Sequence, residues 1–239
     1  MNSMALPKLN VPEYNLKLPS SGKNVKYRPF LVKEEKLLYL AMESGEQKDM
    51  IDAVKNFLTS CTSLRSLKDL ATFDIEYIFL KLRTRSVGEN VDVNITCPDD
   101  NETQVPVSIP LDDIEIKTSP EHKREIKLSD DIIITMGYPS FDMFVKLNLV
   151  GDDPGVDQVF EMAAACVETI ADSEQVYDCK DSSKKELLAF FDDMNSGQFK
   201  KIQTFFETMP KLSHTIKVMN PNTNVENEVT LEGLSSFFE

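Results

Sequence analysis

Two segments of the chain alternate apolar and polar residues, and each is interrupted by a turn that contains proline and asparagine. Residues 91–109 turn at residues 97–101 (Cys-Pro-Asp-Asp-Asn), and residues 215–231 turn at residues 220–224 (Asn-Pro-Asn-Thr-Asn). A period of two is typical of a half-buried strand, while Pro and Asn favour a tight turn. The sequence therefore predicts two similar β-hairpins.

The first limbs of the two hairpins align without a gap, whereas the second limbs differ by about one residue, which predicts a bulge in one hairpin. Each turn has the shape of a Cys-Pro-X-Cys-Gly knuckle, half of a zinc ribbon. Of the four ligand positions only Cys97 carries a thiol, because the others are Asp100, Asn220 and Thr223. Structural zinc needs four thiolate or imidazole ligands, so we predict a scaffold without metal.

The remaining apolar residues mostly recur at helical spacing. Helices are predicted at residues 33–42, at 47–59 and within 67–84, all before the first hairpin. After that hairpin the pattern predicts strands at 126–128 and 132–136, a short helix after residue 139, and a longer helix that reaches Ile170. A weak strand at 176–179 and helices at 184–193 and 197–208 precede the second hairpin.

The most aromatic part of the chain is residues 187–206. Aromatic side chains at helical spacing are usually core, and an exposed groove for a partner is the alternative. The apolar residues concerned are Leu187, Leu188, Phe190, Phe191, Phe199, Ile202, Phe205 and Phe206.

Residues 1–26 carry Pro7, Pro12 and Pro19, followed by Ser-Ser-Gly at residues 20–22. Proline resists helix formation, so an extended N-terminal arm is predicted. Apolar residues recur between the prolines, which indicates that the arm lies along a surface. That surface could belong to this chain or to a neighbour.

The order of elements predicts an α+β protein in which helical segments alternate with two knuckle-like β-hairpins. We divide the chain into the arm (residues 1–26), a first half with helices, hairpin and strands (27–137), and a second half with helices, hairpin and C-terminal tail (138–239). An internal duplication would explain the similarity of the two hairpins.

The composition narrows the classes of partner. The chain has 239 residues, of which 41% are hydrophobic, as in a globular protein. Its 26 basic and 40 acidic residues give a net charge of −14, which disfavours nucleic acid as a partner. No apolar run is long enough to span a membrane. Four cysteines without CxxC spacing, and no signal peptide, indicate free thiols in a reducing compartment.

Catalytic motifs are missing from the sequence. It contains no glycine-rich phosphate loop, no GxSxG and no HExxH. We therefore predict no catalytic residue, no cofactor and no metal. If the chain were an enzyme with an unrecognised site, Cys97 would be the best lone nucleophile, in a turn expected to be exposed.

Four features together resemble the baseplate hub protein family of T-even-type contractile-tail phages. They are residues 27–38 (Tyr-Arg-Pro-Phe-Leu-Val-Lys-Glu-Glu-Lys-Leu-Leu), the turn at Cys97 and Pro98, residues 209–212 (Met-Pro-Lys-Leu), and the ending at residues 231–239. Their order and spacing carry the resemblance, which covers residues 27–239.

The resemblance implies a non-enzymatic protein of the tail baseplate hub, made in the host bacterial cytoplasm and incorporated in the virion. Its implied partners are other phage tail and baseplate proteins, with a homo-oligomer left open and with no nucleic acid and no membrane. One alternative is a transient assembly chaperone for hub or tape-measure proteins that is absent from the virion. An enzyme is the third hypothesis.

The expected partner contacts lie in two places. Tyr27, Arg28, Pro29 and Phe30 begin the segment that carries the resemblance. Phe237 and Phe238 lie beside the charged terminus, where they either dock on a partner or fold back on their own core.

Overall fold

The structure is a computed structural model, which describes residues 9–146, 156–233 and 236. Within these ranges the chain forms seven α-helices and eleven strands, and the strands pair in four small antiparallel sheets. The α+β prediction is confirmed.

Residues 14–27 form a hairpin on the chain's own core. Strands β1 (Tyr14–Lys17) and β2 (Asn24–Tyr27) pair antiparallel, and the turn between them includes Gly22 at a φ of 68°. Asp74, which has no exposed surface, accepts a hydrogen bond from the Ser20 backbone N–H at 3.0 Å and another from the Ser20 hydroxyl. This part of the predicted arm therefore lies on its own chain, and residues 1–8 lie outside the described residues.

Three helices follow the β1–β2 hairpin. They are α1 (Val32–Ser44), α2 (Gln47–Cys61) and α3 (Thr72–Ser86). Only Gly45 and Glu46 separate α1 from α2, and Gly45 takes a left-handed φ of 68° that suits a residue without a Cβ. Such a short connection makes α1 and α2 antiparallel neighbours. The buried residues where these helices meet the β1–β2 hairpin are Leu16, Leu18, Val25, Tyr27, Phe57, Leu58, Cys61, Leu64, Leu67, Ile78 and Leu82.

The central strands come next. The first predicted hairpin is formed by β3 (Asn90–Thr96) and β4 (Gln104–Pro110), and a short strand β5 (Glu115–Lys117) follows it. Strands β6 (Glu125–Lys127) and β7 (Ile133–Met136) pair antiparallel, as their sequence predicts. The short helix after residue 139 is α4 (Phe141–Lys146).

The helix predicted to reach Ile170 is wrong at its end. Helix α5 (Val156–Ala165) stops earlier, and residues 167–171 form strand β8 (Val167–Ala171) between β7 and β9 (Val176–Asp178). The segment Val-Glu-Thr-Ile is rich in β-branched residues, which fit a pleated sheet better than a helix. Pairing with both neighbours then outweighs the helical spacing of its apolar residues.

The last elements are α6 (Lys184–Asp192), α7 (Ser196–Thr208), β10 (Lys211–Met219) and β11 (Glu226–Glu232). The core prediction for residues 187–206 is confirmed, because Leu187, Phe191, Ile202 and Phe205 are buried and the other four apolar side chains are partly buried against them. They pack against the sheet of β6 to β9. Strands β10 and β11 form the second predicted hairpin.

The predicted bulge is wrong. Both hairpins have regular registers up to their turns, where Thr96 pairs with Gln104 and Met219 pairs with Glu226. The first turn thus has seven residues (97–103) and the second turn has six (220–225). The extra residue that shifts the second limb lies in the turn rather than in a strand.

The two hairpins share one hydrophobic core. Strand β10 pairs with β5 as well as with β11, so one sheet combines residues from both sides of position 137. The buried residues of this core are Leu80, Val91, Val93, Ile95, Cys97, Ile109, Leu111, Ile114, Leu212, Ile216 and Val218. The division of the chain at residue 137 stays a prediction.

Candidate functional site

The tips of the two hairpins meet, and their side chains form one hydrogen-bond network. The amide of Asn220, which has no exposed surface, donates to Asp99 Oδ1 at 3.0 Å and to Asp100 Oδ2 at 2.9 Å. These partners are separated by 121 and 120 residues in the sequence. Asn220 therefore joins the first turn to the second.

Three further residues of the second hairpin complete this network, which we call the paired turns. The hydroxyl of Thr223 donates to Asp99 Oδ2. The amide of Asn227 donates to Asp99 Oδ1 at 2.9 Å, and its oxygen accepts from the Asp99 backbone N–H at 3.2 Å. Asn222 Nδ2 donates to Thr103 Oγ1 at 2.9 Å.

The two turns have the same local geometry. Asn101 and Asn224 adopt φ values of 55° and 59°, a left-handed conformation that Asn tolerates better than most residues. The N–H of Asn101 donates to the carbonyl of Cys97, and that of Asn224 donates to the carbonyl of Asn220, each at 2.9 Å. The similar sequences of the turns thus produce similar backbones.

Hydrogen bonds keep both carboxylates of the first turn ionised. Bonds from Asn220, Thr223 and Asn227 hold the pKa of Asp99 below its ordinary value. The pKa of Asp100 is lowered strongly by the hydroxyl and backbone N–H of Thr103, then by Asn220. Two adjacent negative charges are tolerated here because amide and hydroxyl donors surround them.

The positions that correspond to zinc ligands carry other chemistry. Asp100, Asn220 and Thr223 take part in the hydrogen bonds of the paired turns, and Cys97 is fully buried. Across the described residues, His, Cys, Asp and Glu form no group of three or more that could hold a metal ion.

The expectation that Cys97 is exposed is wrong. The side chain points into the core shared by the hairpins, and burial raises the pKa of its thiol, with a further increase from Asp99 and Asp100. A buried thiol that resists ionisation is a poor nucleophile.

Residues 27–30, which are predicted to bind a partner, pack against other parts of their own chain. Tyr27 is 6% exposed, and its ring centroid lies 5.5 Å from that of Tyr14. Arg28 Nη2 donates to Glu34 Oε1 at 2.8 Å. The Phe30 ring packs 5.2 Å from the Phe57 ring, centroid to centroid.

The same segment fixes the start of α1. Arg28 Nη1 donates to the carbonyl of Pro29 at 2.9 Å, and Glu34 Oε2 accepts from the Leu31 backbone N–H at 2.8 Å, as in a capping box. A role of residues 27–30 in partner binding stays a prediction. Phe237 and Phe238 lie outside the described residues.

Helix α1 exposes an apolar surface that the sequence-based predictions do not include. Leu37 and Leu40 are each 50% exposed, and together with Ala41 they form one wall of a groove between α1 and α2. The opposite wall contains Asp49, Asp52, Ala53 and Asn56. We call this surface the α1–α2 groove. The signal was the uninterrupted apolar run at residues 37–42, since a helix in contact with the core on one face cannot bury all six residues.

Comparison with protein families identifies the chain. A family model described as T4 bacteriophage base plate protein matches residues 11–239. The chain belongs to this family. Membership in this family confirms that the chain resembles phage baseplate proteins, and the match begins 16 residues before the segment that carried the resemblance. No curated protein and no solved structure matches the chain.

Family membership indicates a structural role in the phage base plate, in contact with other tail proteins and as part of the virion tail. Within the described ranges, no helix combines the length and the apolar character needed to cross a lipid bilayer.

A histidine in this base plate protein connects the end of α7 to the segment between β7 and α4. His122 Nδ1 lies 3.1 Å from Thr208 Oγ1, and Nε2 lies 3.1 Å from the Tyr138 hydroxyl. The Arg124 guanidinium lies over the Tyr138 ring and forms an ion pair with Glu168 at 2.6 Å. Burial and then the charge of Arg124 lower the pKa of His122.

We expect the free energy of unfolding to decrease as the pH falls through about 6.5, the ordinary pKa of histidine. Because the pKa of His122 is lowered in the folded state, protonation favours the unfolded chain; the stabilisation is complete above the ordinary pKa and is lost below it. Urea unfolding followed by circular dichroism at pH 7 and pH 5 measures the change. His122→Gln should show a smaller loss, and an equal loss in both proteins would contradict the assignment.

Proposed function

We propose that this base plate protein is a subunit of the baseplate hub of a contractile tail, and that it acts in baseplate and tail assembly through protein–protein contacts. It is made in the host bacterial cytoplasm and enters the virion. The observation that carries the proposal is the extent of the family match, which covers residues 11–239.

The chemistry of the described residues supports a role in contacts. All four cysteines are buried, and the carboxylates of the paired turns are bound by amides and hydroxyls. In contrast, α1 exposes Val32, Leu37, Tyr39, Leu40 and Met42. Removing such apolar side chains from water is favourable, and a partner protein in an assembly can bury them.

Quantitative mass spectrometry of purified virions, beside the lysate of infected cells, tests the proposal. We expect the chain in the particle at a fixed ratio to known tail proteins, and that ratio should survive repeated purification. Abundance in the lysate with absence from the virion would overturn the proposal. That result would favour the alternative, a transient chaperone for hub or tape-measure proteins.

A further inference from the structure

The α1–α2 groove has one apolar wall and one acidic wall. Leu37, Leu40 and Ala41 follow the spacing i, i+3, i+4 on α1, so they form one stripe along that helix. Asp49, Asp52, Ala53 and Asn56 follow the spacing i, i+3, i+4, i+7 on α2. Two parallel stripes at helical spacing form a groove that runs along both helices.

The residues at the bottom of the groove have small side chains. Ala41 and Ala53 are 7% and 8% exposed, and they lie where the two helices approach each other. Small residues at such a position allow a third helix to come close and to insert its own larger side chains. An amphipathic helix that lies between two others is a common mode of recognition.

The negative charge of the groove favours a bound helix that has basic side chains beside its apolar stripe. Of the seven side chains that line it, the two charged ones, Asp49 and Asp52, are both acidic and both exposed. Neither carboxylate has a hydrogen bond or an ion pair with another described residue. Lys55, on the neighbouring face of α2, lies instead over the Phe141 ring, 5.9 Å from its centroid.

We propose that the α1–α2 groove binds an amphipathic α-helix of a partner protein, with the apolar stripe of that helix on Leu37 and Leu40 and its Lys or Arg side chains facing Asp49 and Asp52. The inference rests on the proposed function, because it names the chemistry of one contact that an assembly protein needs. Complementary charge gives such a contact its orientation and its dependence on salt.

The test uses the full chain and two synthetic helical peptides of about 18 residues, cross-linked internally because short helices are marginal in water. Both carry the same apolar stripe, and they differ only in flanking residues, which are Lys in one and Glu in the other. Fluorescence anisotropy should show the Lys peptide binding at least about tenfold more tightly at low salt. Leu40→Asp should weaken its binding by about tenfold or more.

Charge reversal separates groove binding from general attraction to an acidic protein. The double variant Asp49→Lys, Asp52→Lys should prefer the Glu peptide. The matched variant Glu121→Lys, Glu174→Lys makes the same change of net charge at exposed positions outside the groove and should keep the wild-type preference. If both double variants respond alike, or if wild type shows no preference, the inference is wrong.

A second copy of the chain is the other occupant to test. Sedimentation of the unliganded protein should show a monomer at peptide-binding concentrations. A dimer that Leu40→Asp dissociates, combined with no peptide binding, would overturn the inference and assign the groove to self-association. Peptide binding by a chain absent from virions would contradict only the proposed function. A virion subunit that binds neither peptide would contradict only this inference.

Discussion

Replacing Asn220 by alanine lowers the free energy of unfolding by about 3 kcal/mol, because a buried group that makes several hydrogen bonds is lost and its partners remain. The Asn220 amide donates to Asp99 and Asp100, while its oxygen accepts from the backbone N–H groups of Asn222 at 2.8 Å and Thr223 at 3.3 Å. Alanine leaves two neighbouring carboxylates without their shared donor. Denaturant unfolding followed by circular dichroism measures the loss.

Asn222→Ala is the matched control on the same turn. Asn222 is exposed and its side chain makes one contact to Thr103, so the change should cost less than about 1 kcal/mol. Equal losses for the two alanine variants would show that the buried contacts of Asn220 with Asp99 and Asp100 contribute no more than one exposed contact.

Asn220→Asp distinguishes charge from shape. The new carboxyl has the size of the amide but replaces the donor with a third negative charge beside Asp99 and Asp100. We expect this variant to be less stable than Asn220→Ala at pH 7. The difference should shrink as the pH falls, because protonation removes the repulsion and is favoured in the folded state. A difference independent of pH would contradict the network's electrostatic role.

Replacing Leu212 by alanine lowers the free energy of unfolding by about 3 to 4 kcal/mol, as expected for a fully buried leucine. Leu212 has no exposed surface and lies on β10, where that strand pairs with β5 opposite Ile116. Its neighbours in the core include Ile109 and Ile114 of the first half. The chain has no tryptophan, so circular dichroism and tyrosine fluorescence are the probes of unfolding.

The Leu212→Ala variant also tests whether the two hairpins unfold together. Because one core contains both hairpins, Leu212→Ala should reduce the hydrogen-exchange protection of β3 as well as of β10. Met219→Ala, at a 54% exposed position of the same strand, should change stability by less than about 0.5 kcal/mol. Unchanged protection of β3 in the Leu212 variant would mean that the halves unfold independently.

The sequence predicts the hairpins well because their signals are local. Alternation over a few residues and a Pro-Asn turn depend on no distant partner, so both hairpins appear where the pattern places them. The meeting of the two turns has no local signal, since Asp99 and Asn220 are brought together only by the core beneath them. The similar turn sequences suggested a shared ancestor rather than a contact.

The errors have physical causes of the same kind. The spacing of Val159, Ala163 and Val167 predicts that the helix continues. Val167 instead begins β8, which pairs with β7 and β9 from other parts of the chain. The sequence predicts an extended arm where β1 and β2 form a hairpin, although residues 20–22 are a turn signal, because these two strands are only four residues long. The position of Cys97 in a turn predicts an exposed thiol, but its side chain points inward.

The contact between the paired turns sets a time order for the newly made polypeptide. The first turn leaves the ribosome long before its partner, because 121 residues separate Asp99 from Asn220. At about 5 to 20 residues per second, that separation corresponds to roughly 6 to 24 s of translation. During this interval Asp99 and Asp100 are hydrated by water, and the hairpin of β3 and β4 lacks the leucine, isoleucine and valine side chains of β10. The native tip therefore closes only after Asn220 has been made, so a ribosome that stalls before residue 220 leaves a chain that cannot join the two turns.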